Sequence, residues 1–176
     1  AGAVGRTKGR DMLRLQRLGL AFFLCTAAAA APALLPATAQ AQMDEPVDPR
    51  AEKLLNDFLS ALTGNKDDMN AAVKAALPHL HKSLLGPGGT DVTQDLRNFS
   101  FKKAWQNAQF YAQPVKITRV RKTGTTGIGF RETAEKGRVI DYFVGKKEGV
   151  AGMPAPVKIF FPEDGSAPKI SYVGSL

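Results

Sequence analysis

The side chain with the clearest chemical potential is Asp141, which lies in the run RVIDYFV at residues 138–144. If this run is a strand, Val139, Asp141 and Phe143 share one face, because successive strand side chains alternate. Both faces are otherwise apolar, and partial burial of a carboxylate would suit it to act as a general base. A structural ion pair is the alternative role. The candidate partners on neighbouring strands are Arg119, Arg121 and Arg131.

A set of aromatic side chains forms a second candidate site. Trp105 and Tyr111 both belong to the apolar face of a predicted helix, roughly one and a half turns apart, and could line a ligand pocket. The candidate lining residues are Trp105, Tyr111, Phe130, Phe143 and Tyr172. Aromatic residues at helical spacing also form ordinary core, so plain packing is the alternative.

The loop at residues 149–156 (GVAGMPAP) is a third feature that could take part in binding. Its glycines would allow movement, and Val150 and Met153 would form an apolar tip. It could therefore act as a lid over a pocket. A long hairpin connection without any binding role is the alternative.

The composition argues against a metal or cofactor site. The 176 residues contain one cysteine, Cys25, which excludes an intrachain disulfide framework and a multi-thiolate site. The two histidines, His79 and His81, would diverge by about 200° on a helix, so they cannot share one ion. We expect no metal and no cofactor.

Residues 1–42 have the composition of an N-terminal extension followed by a secretory signal peptide. Arg14 and Arg17 follow Met12 and precede an uncharged apolar run at residues 18–31. Small residues then occupy two Ala-x-Ala cleavage frames, at residues 37–39 and 39–41. A retained membrane anchor is the alternative, which the prolines and the alanine tract of this segment disfavour. We therefore predict cleavage, no stable membrane anchor afterwards, and a periplasmic or secreted protein.

Export also limits the partners. Lys and Arg outnumber Asp and Glu by 24 to 16, giving a formal net charge of +8, and RVRK at residues 119–122 is strongly basic. In the cytosol this pattern would suggest nucleic acid. For an exported protein we expect no nucleic acid and instead an envelope partner or a small apolar ligand.

Beyond a short lead-in at residues 43–49, one α+β domain is predicted over residues 50–176. An apolar stripe from Ala51 to Leu62 indicates a first helix that stops at Gly64. A second helix should run from near residue 65 to residue 84 and be kinked or split at Pro78. Val92, Leu96 and Phe99 then suggest a partly helical turn. Ser100 is the expected N-cap of a third helix that ends near Tyr111.

From Pro114 onward, alternating apolar and polar residues predict strands. Turn residues separate them, which favours an antiparallel meander. The expected strands are residues 115–122, 126–133, 138–146, 157–161 and 169–173. Three N-terminal helices would then pack on a curved antiparallel sheet of about five strands. Phe160 and Phe161 would point to opposite faces, so an outer phenylalanine would either meet a second copy or lie under another covering element.

This order of elements resembles the nuclear transport factor 2-like, or cystatin-like cone, superfamily over about residues 50–176. The resemblance is carried by the helices, the Gly/Pro-rich break at residues 86–89, the aromatic helix end Phe110-Tyr111 and a meander closing with KISYVGSL at residues 169–176. It implies an apolar pocket between helices and sheet, and an outer sheet face that often dimerises. Members include isomerase-like and cyclase-like enzymes as well as binding and association domains, so fold alone does not choose a function.

Three functions are therefore expected in order of preference. The first is a non-enzymatic exported domain that binds a small apolar ligand or a partner. The second is an isomerase- or cyclase-like enzyme in which Asp141 is the base and Tyr111, Tyr142 or Tyr172 donates a hydrogen bond. The third is a protein-interaction module that forms a homodimer through the outer face of its sheet.

Overall fold

A computed structural model describes residues 46–124, 127–128, 135–174 and 176 of the chain. The predicted signal peptide lies outside the described residues, as do Phe130 and Arg131. All the described residues belong to one compact unit, Ala39–Leu176. Within the part of the chain that the structure describes, no helix is both long and apolar enough to span a membrane.

The first helix, α1, spans Pro49–Gly64 and follows directly from its sequence pattern. Asp48 caps its start by accepting the Arg50 backbone N–H at 2.8 Å, and Pro49 supplies a φ angle suited to the first turn. The predicted apolar stripe is the buried face of the helix. Its members are Ala51, Leu54, Leu55, Phe58, Leu59 and Leu62.

The second helical region is broken where a proline interrupts it. Helix α2 spans Met69–Ala76 and is capped by Asp68, which accepts the N–H groups of Asn70 and Ala71. The 3-10 turn Leu77–His79 follows, with Pro78 near its start, where the missing N–H of proline is tolerated. Two further 3-10 turns, Lys82–Leu84 and Pro87–Gly89, lead away from it.

The third helical region is continuous with the partly helical turn that precedes it. Helix α3, Gln94–Leu96, passes into a π-helical turn at Arg97–Phe101 and then into α4, Lys102–Asn107. A 3-10 turn, Ala108–Phe110, ends this region. Ser100 therefore lies inside the π-helical turn and not at a helix start.

An antiparallel sheet forms the second half of the structure, so the predicted α+β class with about five strands is confirmed. Among the described residues the strand order is β1-β3-β4-β5, and the short β2 pairs with the start of β3. Strands β3, β4 and β5 follow one another as predicted, whereas β1 pairs directly with β3. The strands are β1 Ile117–Lys122, β2 Gly127–Ile128, β3 Glu135–Val144, β4 Ala155–Pro162 and β5 Lys169–Tyr172.

The two faces of β3 have different surroundings. Ile140, Tyr142 and Val144 belong to the main core cluster, which also contains the buried stripe of α1. We call this the inner face and the opposite one the outer face. On the outer face, Arg121, Asp141 and Lys158 lie side by side in register.

Phe160 is buried on the outer face by a segment of the same chain. Its ring meets His81 edge-on with the centroids 5.1 Å apart. His81 is brought there because its backbone N–H donates to the carbonyl of Ile170 on β5 at 2.8 Å. Phe161 lies on the inner face, within the main core. Of the two explanations for an outer phenylalanine, the structure therefore favours a covering element.

Gly137 allows β3 and β4 to approach closely beside Phe160, which yields a first testable prediction. A Cβ at Gly137 would lie 2.3 Å from the Phe161 carbonyl oxygen and 2.6 Å from the Phe160 ring. We expect Gly137→Ala to lower the free energy of unfolding by about 1–3 kcal/mol, because both neighbours must move. Urea denaturation measures this directly.

The matched control is Gly64→Ala in α1, where an added Cβ meets nothing within 4 Å. Alanine is the better helix former, so the midpoint should be unchanged or slightly higher. Equal midpoints for Gly137→Ala and the parent protein would contradict the close approach of the two strands.

Candidate functional site

Asp141 takes part in an ion pair at the centre of the sheet. Its side chain is 1% exposed, and its Oδ2 accepts from Arg121 Nη2 at 2.6 Å and from Arg121 Nε at 3.2 Å. Lys158 Nζ lies 3.8 Å from Oδ1 on the other side. Of the roles considered for Asp141, the structure shows the structural ion pair with a neighbouring arginine.

The same strand geometry separates Asp141 from one of its proposed hydrogen-bond donors. Tyr142 follows Asp141 in β3, so its side chain points to the inner face, where it is buried in the main core. Tyr111 also belongs to that core, whereas Tyr172 is 46% exposed and its ring centre lies 5.9 Å from Lys158 Nζ. The three tyrosines are therefore not gathered around the carboxylate.

The predicted aromatic lining is divided among several places. Tyr111 and Phe143 line one cleft together. Trp105 packs partly against the core, donates its Nε1–H to the Asn65 carbonyl at 2.8 Å, and lines a different cleft. Tyr172 lies on the surface at β5, and Phe130 is outside the described residues. Of the four predicted lining residues that the structure describes, two thus meet in one cleft.

That cleft, which we name the β3–β4 cleft, lies at the end of the sheet where β3 ends and β4 begins. Its volume is about 640 Å³, within the range of about 300–1,000 Å³ common for small-molecule sites. Its lining is mainly apolar, with one charged side chain, Lys146. The lining residues are Asn107, Phe110, Tyr111, Phe143, Lys146, Val150, Met153, Pro154, Ala155 and Pro156.

Backbone hydrogen bonds fix one wall of the β3–β4 cleft. The Lys147 N–H donates to the Phe110 carbonyl at 2.9 Å, and Tyr111 forms an isolated antiparallel bridge with Lys146. These contacts tie the end of the last helical turn to the residues that follow β3. Burial raises the pKa of the Tyr111 hydroxyl, because the ionised form loses hydration there.

The other wall is the glycine-rich loop that was predicted as a candidate lid. Gly149 and Gly152 have φ angles of +80° and +125°, which other residues rarely adopt. Lys146 Nζ donates to the Ala151 carbonyl at 3.0 Å and so links the loop to the fixed wall. Met153 at the loop tip is 86% exposed.

A neighbouring cleft of about 820 Å³ surrounds Trp105 and shares Asn107 and Phe110 with the β3–β4 cleft. Phe110, which is 42% exposed, therefore stands between the two. Sequence reasoning named Phe110 only as part of a helix end. Lys146 was missed, and the loop at residues 149–156 was predicted as a lid without the wall that it faces, because residues so far apart in sequence give no local signal of meeting.

A polar cluster on the outer face was also missed. His81 is buried, with its Nδ1 2.8 Å from Ser83 Oγ and its Nε2 3.3 Å from Glu135 Oε2. Lys82 Nζ lies 2.6 Å from the same carboxylate oxygen. The hydrogen bond from Lys82, with a smaller contribution from His81, lowers the pKa of Glu135 despite an opposing effect of burial. The cluster joins the segment after α2 to the start of β3.

Among the residues that the structure describes, no group of three or more His, Cys, Asp or Glu side chains is arranged to hold a metal ion. The chain matches no family model, no curated protein and no solved structure at a significant level.

The ion pair of Asp141 gives a second prediction. Asp141→Asn should lower the free energy of unfolding by about 1–3 kcal/mol, because it removes a charge-assisted hydrogen bond from a buried site. Arg121→Gln should be coupled to it, so the double variant loses less than the sum of the two single variants. Urea denaturation of the four proteins measures this coupling.

Asp164→Asn serves as the control, because Asp164 lies on an exposed turn, where its Oδ1 accepts a hydrogen bond from the Ser166 backbone N–H. It should leave the unfolding midpoint unchanged. Additive losses for Asp141→Asn and Arg121→Gln would contradict a direct interaction between these two side chains.

The lowered pKa of Glu135 gives a third prediction, on pH dependence. A carboxyl group whose pKa falls on folding stabilises the native state above its unfolded value, here 4.5, and loses that contribution as pH falls further. Because the side chain of Glu135 is 30% exposed, we expect Glu135→Gln to cost less than about 1 kcal/mol at pH 7.

The difference between parent and Glu135→Gln should shrink as pH falls below 4.5. Thermal unfolding at several pH values measures it, and the exposed neighbour Glu163 provides the control variant Glu163→Gln. A difference that does not change with pH would show that the charge of Glu135 plays no part.

Proposed function

We propose that this protein is a non-enzymatic binding domain that holds an apolar ligand, or an apolar side chain of an envelope partner, in the β3–β4 cleft. The observation that carries the proposal is the position of its exposed apolar side chains. Four large hydrophobic residues are exposed in the described part, and two of them, Phe110 and Met153, line this cleft, whereas Phe99 and Tyr172 do not. Exposed apolar side chains that meet in a concave site are typical of a binding site.

Two features of the walls support this function. Phe110 and Tyr111 are held by backbone hydrogen bonds to the residues after β3, so they present a preformed apolar surface. The opposite wall is a loop whose two positive-φ glycines permit a change of backbone conformation. A fixed wall facing an adaptable one can close over ligands of different shape.

The enzymatic alternative receives less support. A general base must be free to take a proton from substrate, whereas Asp141 is buried and accepts two hydrogen bonds from Arg121. Tyr142 points to the other face of the same strand. Asp141 and Tyr142 therefore lie on opposite faces of β3, and Tyr111 belongs to the main core, so these residues do not form the carboxylate–hydroxyl pair that the isomerase- or cyclase-like hypothesis requires.

Dimerisation through the outer face is the other alternative, and its charges oppose it. A two-fold interface places the same surface against itself. Here it would bring Arg119, Arg121 and Lys158 toward the same cations of a second copy. Phe160, which could have provided apolar contact, is already covered by His81.

Export and family membership are part of the proposal. The arginines, apolar run and small residues of residues 1–42 support a cleaved signal peptide and a periplasmic or secreted location. The order of helical segments before an antiparallel sheet supports an arrangement like that of the nuclear transport factor 2-like superfamily, with three helices covering the sheet. The proposed site would then lie at the end of the sheet, since core side chains fill the inner face.

The experiment is a fluorescence titration with N-phenyl-1-naphthylamine, a neutral apolar probe. Phe110→Ser should weaken binding of the probe about fivefold, because a little under half of the Phe110 side chain is exposed for contact and serine replaces it with a small polar group. Met153→Ser should weaken it in the same direction. Phe99→Ser is the matched control, since Phe99 is 68% exposed and lies outside the lining of this cleft.

Equal affinities for Phe110→Ser, Phe99→Ser and the parent protein would exclude this cleft as the site. Failure of the parent protein to bind the probe or any other apolar compound would count against the proposed function itself. Circular dichroism should confirm that both phenylalanine variants remain folded.

A further inference from the structure

The β3–β4 cleft borders a positively charged stripe on the outer face, which consists of Arg119 and Arg121 on β1 and Lys158 on β4. One side chain lines the cleft and also contacts this stripe. We propose that the ligand is a single-chain anionic amphiphile, with its apolar tail in the cleft and its anionic head on the guanidinium group of Arg119. This inference rests on the proposed function and adds the chemical class of the ligand. Phe143 is the shared side chain, because it lines the cleft and also contacts Arg119.

The position of Arg119 is fixed by the sheet. Arg119, Phe143 and Pro156 lie side by side on β1, β3 and β4. The guanidinium carbon of Arg119 is 3.8 Å from the centre of the Phe143 ring, a close cation–π contact. Because Phe143 and Pro156 both line the cleft, Arg119 lies one side chain away from the apolar surface.

Arg119 is also the cation of this stripe that remains available for an anion. Arg121 donates two hydrogen bonds to Asp141, and Lys158 lies on the far side of the same carboxylate. No ion pair joins Arg119 to any residue that the structure describes. Its five N–H donors match the geometry of a carboxylate or phosphate group.

The charges around the cleft favour an anion over a cation. Lys146 lines it, and its Nζ uses one hydrogen bond to hold the Ala151 carbonyl. Glu148 is the acidic residue of the adjoining loop, where it follows two lysines in sequence. A ligand with a positive head would meet Arg119 and Lys146 and be repelled.

A free amphiphile fits this arrangement better than a bilayer does. Apolar and cationic groups are neighbours along one cross-strand row, so one short molecule can reach both. The cleft, with a volume of about 640 Å³, has room for the tail of such a molecule. A membrane surface would instead be recognised by a broad basic face with several protruding apolar side chains.

The experiment compares dodecanoate, below its critical micelle concentration, with dodecanol, which has the same chain and no charge. Isothermal titration calorimetry should give tighter binding for dodecanoate. Arg119→Gln should weaken dodecanoate binding about fivefold, as expected for one partly exposed ion pair, and leave dodecanol binding unchanged. Lys136→Gln, an exposed basic position at the other end of β3, is the matched control.

The outcomes separate this inference from the proposed function. Equal binding of dodecanoate and dodecanol would overturn the anionic head but keep the apolar site. A loss in Lys136→Gln as large as that in Arg119→Gln would also overturn it, because net charge alone would explain the effect. Binding of neither compound by the parent protein would remove the proposed function together with this inference.

A vesicle arm tests the membrane alternative. The protein should not cosediment with vesicles of mixed phosphatidylglycerol and phosphatidylcholine at protein concentrations at which it binds dodecanoate. Cosedimentation with these vesicles, without binding of free dodecanoate, would overturn the proposal in favour of a membrane surface. Raising the salt concentration should weaken dodecanoate binding more than dodecanol binding.

Discussion

A buried carboxylate in the middle of a strand must find its counter-charges on the strands beside it. Asp141 does so through Arg121 on β1 and Lys158 on β4, which lie in register with it. Desolvation makes an unpaired charge at this position costly, so the pairing fixes how β1, β3 and β4 align. The one oxygen of Asp141 without a hydrogen bond, Oδ1, is the one that faces the more distant Lys158.

That alignment determines what the rest of the outer face can do. Two residues along β3, the same register places Arg119 over Phe143 and next to Pro156. Two residues in the other direction, it places Val139 beside Phe160, where His81 covers the sheet. The outer face is thus closed and apolar at one end, neutralised in the middle, and cationic beside a cleft at the other end.

Local sequence patterns predicted the elements well, because they report on burial along one segment. The stripe of α1 is the buried face of that helix, and alternation located the strands. The helical turn expected from Val92, Leu96 and Phe99 is present from Gln94 onward, but Ser100 is not an N-cap, because the π-helical turn at Arg97–Phe101 joins this turn to the following helix. Of the predicted strand at residues 126–133, the structure describes residues 127 and 128, which pair with the start of β3.

The candidate site was harder to predict, because its walls come from three separate parts of the chain. The aromatic set assumed that helix and strand aromatics all face one interior. In the structure the strand residue Phe143 lies on the outer face, and Tyr172 is exposed. Phe143 lies near the end of β3 and lines the same cleft as Tyr111, whereas Tyr172 does not line that cleft. The alternation of side chains along β3 was predictable from the sequence. The contact between the end of β3 and the last helical turn was not, because it depends on tertiary structure.

The location of the cleft divides affinity from selectivity. The apolar wall is anchored to the core through Tyr111, so contact with it depends on buried area and is insensitive to salt. The cation is held outside the cleft by the cross-strand row, where water screens it and one ion pair contributes at most about 1 kcal/mol. A ligand would therefore bind mainly through its tail, and its head would decide which of several similar tails is preferred. This division follows from the register that Asp141 imposes, because that register places the available guanidinium beside the apolar surface rather than within it.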